Sequence, residues 1–341
     1  MVQEIEGQFQ VGGTNLYSKT WLPDEGTPAV AKLVFIHGFS DHLGRYYGFF
    51  PYLASAGIAV YGFDQRGWGR SVQKPADRGL TGPTSQVLSD IAAFITHVAS
   101  LPAPSSSSST ALPLFVMGHS MGGGEVLALA STPAYEASIV AHVRGWLLEA
   151  PFVAFDEREK PSTLKVFAGR LAGRLLPHMH LANPFPPESL TRDPAVQQSL
   201  REDDLCHDTG TLEGLAGLLD RTADLASGKY KLSRQVRSLW LGHGDQDHVT
   251  NYKESKRWFE SQTALEDKTF KTYEGWLHQL HAEVGREEFY ADVRKWLLER
   301  TGDDGGAAGG QKFAGTEGEA GVSATENAVK DGEALKADAK L

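Results

Sequence analysis

The sequence predicts a doubly wound, mostly parallel α/β sheet with a helical cap inserted between two sheet strands. Three observations predict it. Short apolar runs rich in β-branched and aromatic residues recur at 32–36, 58–63, 113–117, 143–148, 236–241 and 268–273. Continuous runs of this kind mark parallel strands whose two faces are both covered by helices. Helical patterns at 46–56, 85–99, 121–131, 251–261 and 284–299 separate most of them, and such alternation implies parallel strands joined by crossover helices. Residues 152–230 break the alternation: they carry several helical patterns and no clear buried strand, as an insertion between two strands would.

Taken in order, residues 5–10 and 14–21 read as antiparallel strands at a sheet edge, and KLVFI at 32–36 as the first buried parallel strand. The helical pattern at 46–56 leads to IAVYGF at 58–63. The one at 85–99 leads, across a serine-rich loop at 105–109, to PLFVM at 113–117. A helix at 121–131 and VRGWLL at 143–148 complete the first part of the core, residues 1–151. After the cap at 152–230 the core resumes over 231–300 with VRSLWL, a helix, KTFKTY and a final helix. Residues 301–341 are Gly/Ala-rich, with eight acidic and four basic residues and Phe313 as the one aromatic. Too few large apolar groups occur there to offset ordering entropy, so the segment reads as a disordered tail.

Composition narrows the function. Of 341 residues, 41% are hydrophobic and 22% charged, ordinary for a globular protein. With 33 basic and 43 acidic residues the formal charge is −10, which argues against a nucleic-acid-binding role. Cys206 is the one cysteine, so no intrachain disulfide or CxxC metal site is expected. No run approaches the ~18 apolar residues of a membrane span, and MVQEIEGQF lacks a signal-peptide core. A soluble, intracellular protein is expected.

Gly118-His119-Ser120-Met121-Gly122 follows the strand PLFVM and precedes a helical run. This is G-x-S-x-G in a strand–turn–helix setting, where flanking glycines leave room for a sharp turn that lifts the serine hydroxyl clear of the strand end. Ser120 is therefore the candidate nucleophile. A serine hydroxyl needs a base, and His278 in YEGWLH, after the last strand, is the candidate, with His281 as its rival. The orienting acid is Asp247 in GDQD, after VRSLWLGH, with Asp245 as its rival. The order Ser, Asp, His along the chain matches a known hydrolase arrangement. The oxyanion hole needs two backbone N–H donors, expected at Met121, next to the nucleophile, and at Phe39 in His37-Gly38-Phe39-Ser40. His37 reads as a hydrogen-bonder that holds this turn, and DQRGWGRS at 64–71 as a structural loop near the site. Within the cap, Leu164, Phe167, Ala168, Leu171, Leu175 and Leu176 recur at helical spacing, with Lys160, Lys165, Arg170 and Arg174 interleaved. A basic amphipathic helix suits a lipid interface; packing of the same stripe on the protein itself is the competing reading.

HGFSDHLGRY, FDQRGWGRS, GHSMGGG, GDQD and YEGWLHQLH together resemble the monoacylglycerol lipase branch of the α/β-hydrolases, over about residues 5 to 300. STLKVFAGRLAGRLLP in the cap resembles that family's lipid-facing helix. The resemblance implies the α/β-hydrolase fold, with Ser120 as nucleophile, Asp247 as acid, His278 as base and the amides of Phe39 and Met121 as the oxyanion hole. It implies hydrolysis of monoacylglycerol to fatty acid and glycerol through an acyl-enzyme, with no metal or organic cofactor. It further implies an apolar channel for the acyl chain and peripheral contact with membranes or lipid droplets through the cap. Two residues depart from the family pattern: Glu125, one turn into the nucleophile helix, and Glu149, expected beside the cap entrance. Cys206 falls near the expected pocket and reads as a buried small residue. Another ester hydrolase of the same fold, a lysophospholipase, an aminopeptidase, a thioesterase, a haloperoxidase-like enzyme and a low-turnover ligand sensor are the competing functions. A cytoplasmic location is expected; Ala339-Lys340-Leu341 also resembles an S-K-L type peroxisomal address for an import receptor.

Overall fold

The structure, a computed structural model, describes residues 1–104, 111–156, 158 and 163–302, with the backbone alone for 163–168. The expected serine-rich loop at 105–109, the tail from 303 onward with Ala339-Lys340-Leu341, and the side chains of Lys160, Leu164, Lys165, Phe167 and Ala168 lie outside the described residues.

Strands β1 (Gln3–Val11) and β2 (Thr14–Leu22) form an antiparallel hairpin in which Val11 faces Thr14. Gly12 and Gly13 make its turn at φ 54° and 72°, the left-handed pair that a two-residue hairpin loop requires. The next elements alternate: β3 (Ala31–Ile36), α1 (Phe49–Ser55), β4 (Ile58–Phe63), α2 (Thr84–Ser100), β5 (Leu114–His119), α3 (Met121–Ser131) and β6 (Gly145–Glu149). The chain then builds the cap, with α4 (Thr163–Leu175), β7 (His180–Ala182), α5 (Pro194–Arg201), β8 (Thr209–Thr211) and α6 (Leu212–Ala226). It returns to the core with β9 (Leu239–Gly244), α7 (Tyr252–Ser261), β10 (Lys268–Tyr273) and α8 (Glu287–Leu298).

Eight strands form one sheet in the order β1-β2-β4-β3-β5-β6-β9-β10. β2 pairs antiparallel with β4, and all pairs from β4 to β10 are parallel. This is the α/β-hydrolase fold. Strands β3 to β6 and β9 are buried along their whole length, which is why they read as unbroken apolar runs. Their residues alternate between two cores. Val34, Ile36, Val116 and Leu148 pack with Ile91, Ile95, Val126 and Phe259 of α2, α3 and α7 on one face. Leu33, Phe35, Phe115 and Met117 pack with Phe49, Leu53, Phe289 and Trp296 of α1 and α8 on the other.

The strands pass outside the sequence-predicted limits at their carboxyl ends: β5 runs on through Gly118-His119 and β9 through Gly242-His243-Gly244. Parallel pairing with the neighbours, His119 with Glu149 and Glu149 with Gly242, holds these less apolar residues in the ladder. The ribbon β7–β8, three residues per strand, has no signature in the apolar pattern. It docks on the core at Gly79 (φ 64°), where an added Cβ would run into the carbonyl of Thr209. From β3, the chain moves to β4 on one side and later to β5 on the other. The loops leaving β3 and β5 therefore diverge, and ligand crevices of open α/β sheets form at this kind of switch point.

Candidate active site

Ser120 lies between β5 and α3 at φ 52°, ψ −118°, a conformation unfavourable for a residue with a Cβ. Close packing imposes it. A Cβ at Gly118 would lie 2.5 Å from the carbonyl of Gly122, and one at Gly122 would strike the carbonyls of Ile36 and His37. The Ser120 amide donates to the Glu149 carbonyl at 3.0 Å, and its carbonyl accepts from Phe152 at 2.8 Å. These bonds tie the turn to the end of β6. Gly38 of the loop after β3 sits so near that its Cβ would lie 3.2 Å from Ser120 Cβ. Phe39 thus follows a residue in contact with the serine. Met121 opens α3, where backbone N–H groups have no intrahelical partner.

The loops after β9 and β10 bring Asp247 and His278 together. His278 Nδ1 lies 2.7 Å from Asp247 Oδ2. The same carboxylate accepts from the amides of Val249 and Thr250 at 2.7 and 2.9 Å, from the Thr250 hydroxyl at 2.7 Å, and lies 3.0 Å from His243 Nε2. Burial alone would raise the Asp247 carboxyl; His278 and the hydrogen bonds from the two histidines outweigh it and hold it well below the ordinary carboxylate range. The two rivals are engaged elsewhere. Asp245 accepts from the Gly275 amide at 2.7 Å, and His281 Nδ1 lies 2.7 Å from Glu149 Oε1.

His37 holds the loop after β3: its Nδ1–H donates to the Gly38 carbonyl and its Nε2 accepts from the Gln65 amide, both at 2.8 Å. Asp64, fully buried, accepts from the amides of Leu43 and Arg70 at 2.9 and 2.8 Å, so the 64–71 loop packs behind the same turn. Ser120, His119, His278, Gly38 and Phe39 all line one cavity of about 580 Å³. Its walls are mixed rather than apolar: Phe185, Leu190, Leu200 and Val249 alternate with Asp41, Arg78, Asp203 and Asp208.

Several neighbours were not legible in the sequence. His243 stands four residues before Asp247, a spacing that could have signalled a partner. Glu149 corrects an expectation, because it lies beneath the Ser120 turn with no exposed surface rather than beside the cap entrance. Its carboxylate also accepts from the His281 amide at 2.9 Å and lies 3.6 Å from His119 Nδ1. Burial carries His119 down to about 3, so that imidazole is neutral. Glu125 is buried and paired with Arg221 of α6 at 3.0 Å. Cys206 lines the large cavity and is partly exposed, not fully buried; burial, with Asp41 and Asp203 nearby, pushes its thiol up.

A buried aspartate on a histidine at one sheet edge, with a serine turn on the shared cavity, defines a serine-hydrolase-like α/β protein. The family model for serine aminopeptidase, S33, matches residues 27–285, and the chain belongs to that family. A Schizosaccharomyces pombe protein is 33% identical over 293 residues, which span 84% of this chain and 72% of that one. The monoacylglycerol lipase of Mycolicibacterium smegmatis is 28% identical over 84% of this chain and 94% of its own. A solved soluble variant of the Saccharomyces cerevisiae monoglyceride lipase, in complex with a substrate analog, superimposes with a TM-score of 0.77 at 21% identity. The match covers 88% of this chain and 97% of the other.

Proposed function

We propose that this chain is a serine carboxylester hydrolase that cleaves monoacylglycerols into fatty acid and glycerol. The observation that carries the reading is the Asp247–His278 pair at 2.7 Å, whose histidine lines one cavity with Ser120. The monoacylglycerol lipase name of a relative aligned over 84% of this chain supplies the substrate class.

His278 takes the proton of Ser120 as Oγ bonds to the ester carbonyl carbon. The amides of Phe39 and Met121 hold the oxygen that becomes negative, a contribution of a few kcal/mol, about 2.7–4 for one donor. Collapse of the tetrahedral species breaks the bond to the glycerol oxygen, which receives the proton from His278. Water then gives a proton to the same imidazole as its oxygen bonds to the acyl carbon; collapse breaks the bond to Ser120 Oγ, which takes the proton back from His278, and the fatty acid leaves. Asp247 fixes the tautomer with Nδ1–H toward itself and stabilises the imidazolium. Polar residues on the cavity wall, Asp41 and Asp208 among them, suit a polyol leaving group. Ser120→Ala should abolish release of glycerol from a monoacylglycerol and labelling by a fluorophosphonate probe. Full turnover by that variant would defeat the reading.

The cap is the surface proposed to meet lipid. Leu171, Leu175, Leu176, Met179 and Leu181 are all exposed, and Arg174 is exposed among them. Clustered exposed apolar side chains rimmed by basic ones favour peripheral docking on an anionic lipid surface. Among the described residues no helix is long and apolar enough to cross a membrane.

A further inference from the structure

Cap and core meet at His207, which stands just before β8. Its two ring nitrogens have partners on opposite sides of that boundary. Nε2 lies 3.0 Å from the Gly67 carbonyl oxygen of the core, and Nδ1 lies 3.2 Å from the Thr209 amide nitrogen of the cap. A carbonyl can only accept and an amide N–H can only donate, so Nε2 carries the proton and Nδ1 the lone pair. The ring is therefore neutral and held in one tautomer. Burial acts the same way: with Arg78 and His180 nearby, it keeps the imidazole below its ordinary pKa against the pull of the Gly67 carbonyl.

Hydrogen bonds close a circuit around this point. The Gly67 carbonyl also accepts from the Gly79 amide at 2.8 Å, and the Gly79 carbonyl accepts from the Thr211 amide and hydroxyl at 3.2 and 3.0 Å. Thr209 and Thr211 are the two ends of β8, so the circuit returns to His207 through Thr209. Two contacts run from it to the loop that carries Phe39. The His207 ring stacks on Trp68 at 5.0 Å, and Trp68 meets Phe39 edge-on at 4.7 Å. The Asp208 amide donates to the Ser40 hydroxyl at 2.8 Å. Ser40 and Asp208 both have left-handed backbone, at φ 52° and 51°, a conformation that residues with a Cβ keep only where their surroundings over-determine it.

The Phe39 N–H is thus held from two directions. From the core, the Gly38 carbonyl of the same peptide accepts from His37 at 2.8 Å. From the cap, Ser40 is engaged by Asp208, and the Phe39 ring is backed by Trp68 and His207. The geometry points to His207 and Ser40 as positioning residues for the oxyanion hole, so that docking of the cap completes the hole at Phe39; the inference rests on the acyl-enzyme reading above. A donor aimed at a developing charge is sensitive to small displacement, since a shift of about 1 Å can cost roughly 10²-fold in rate. Loss of the cap-side hold, with His37 still in place, should cost less than loss of the donor itself.

The test uses hydrolysis of p-nitrophenyl butyrate, a dissolved ester that needs no lipid surface. His207→Ala removes the circuit and the stack; Ser40→Ala removes only the acceptor for the Asp208 amide. Rates are divided by the fraction of Ser120 labelled to completion by a fluorophosphonate, so misfolded protein does not count. In each variant kcat should fall roughly tenfold or more while KM stays within a few-fold. The Ki of a butyl trifluoromethyl ketone, whose adduct with Ser120 places an oxyanion in the hole, should rise by the same factor as kcat/KM falls. If His207→Ala does not fold, Ser40→Ala decides alone. Wild-type kcat per labelled site in either folded variant, or a loss of rate with Ki unchanged, overturns the inference. A wild-type protein that neither takes the fluorophosphonate nor binds the ketone would overturn the acyl-enzyme reading itself, and the inference with it.

Discussion

Ser120, Asp247 and His278 each depend on backbone set by residues far from them in sequence. Ser120 keeps its positive φ because the carbonyls of Ile36, at the end of β3, and of His37 leave no space beside Gly122. Asp247 keeps its charge because Val249, Thr250 and His243 all address it along with His278. Its proposed function is electrostatic and tautomeric rather than as a proton acceptor. Asp247→Asn should accordingly fold, keep KM within a few-fold and lose roughly 10⁴-fold in kcat. Steady-state kinetics on a soluble ester, with circular dichroism to verify folding, would check this. The choice of Asp247 over Asp245 follows from a tight turn: Asp245 Oδ1 is occupied by the Gly275 amide, and two residues later the chain has come round to face His278. The local sequence does not make that choice, since both carboxylates are followed by polar residues.

At the scale of elements, α3 and α4 show how alike patterns acquire different roles. α3 is buried on all sides along Met121–Ala130, so its small residues serve close approach to β3 and β6. Glu125 is tolerated there because α6 supplies Arg221. α4 and the segment after it leave Leu171, Leu175 and Leu176 uncovered, although Arg170 is tied to Asp220 of α6 at 2.5 Å. Exposure of these leucines bears on the competing expectations, a stripe packed on the protein or facing lipid, in a way that no periodicity reports. Leu175→Ser/Leu176→Ser should weaken binding to anionic phospholipid vesicles roughly tenfold or more, given ~1.5–3 kcal/mol for each large apolar side chain taken from water. Its turnover of a dissolved short-chain ester should match the parent. Flotation or sedimentation with vesicles measures the first quantity, and a colorimetric assay the second.

Across the whole molecule, the cap is joined to the core through a titrating contact. Burial pushes the Glu125 carboxyl up to about 7, against the pull of the Arg221 guanidinium. A carboxyl raised in the folded state holds a proton that the unfolded chain has already released. Stability therefore declines as pH rises from the ordinary value of 4.5 to about 7. Relative to Glu125→Gln, which has no such proton, the wild type should lose about 3 kcal/mol between about pH 4 and about pH 8. Urea unfolding of both proteins at the two pH values gives the difference directly. A constant difference would show that Glu125 is charged throughout, held by Arg221 more strongly than burial opposes it.

The sequence by itself determined the sheet and its mostly parallel sense. Those features are written in local patterns: unbroken apolar runs for strands covered on both faces and helical spacing between them. It also marked Ser120, because the turn that exposes such a serine demands glycines at fixed positions beside it. Only the tertiary structure decided which acid meets which histidine, that Glu149 lies beneath the Ser120 turn rather than at the cap, and that Glu125 finds Arg221 nearly a hundred positions away. These are contacts between side chains brought together by the closing of the sheet and the docking of the cap. Their energies depend on burial and on partners that no stretch of neighbouring residues contains.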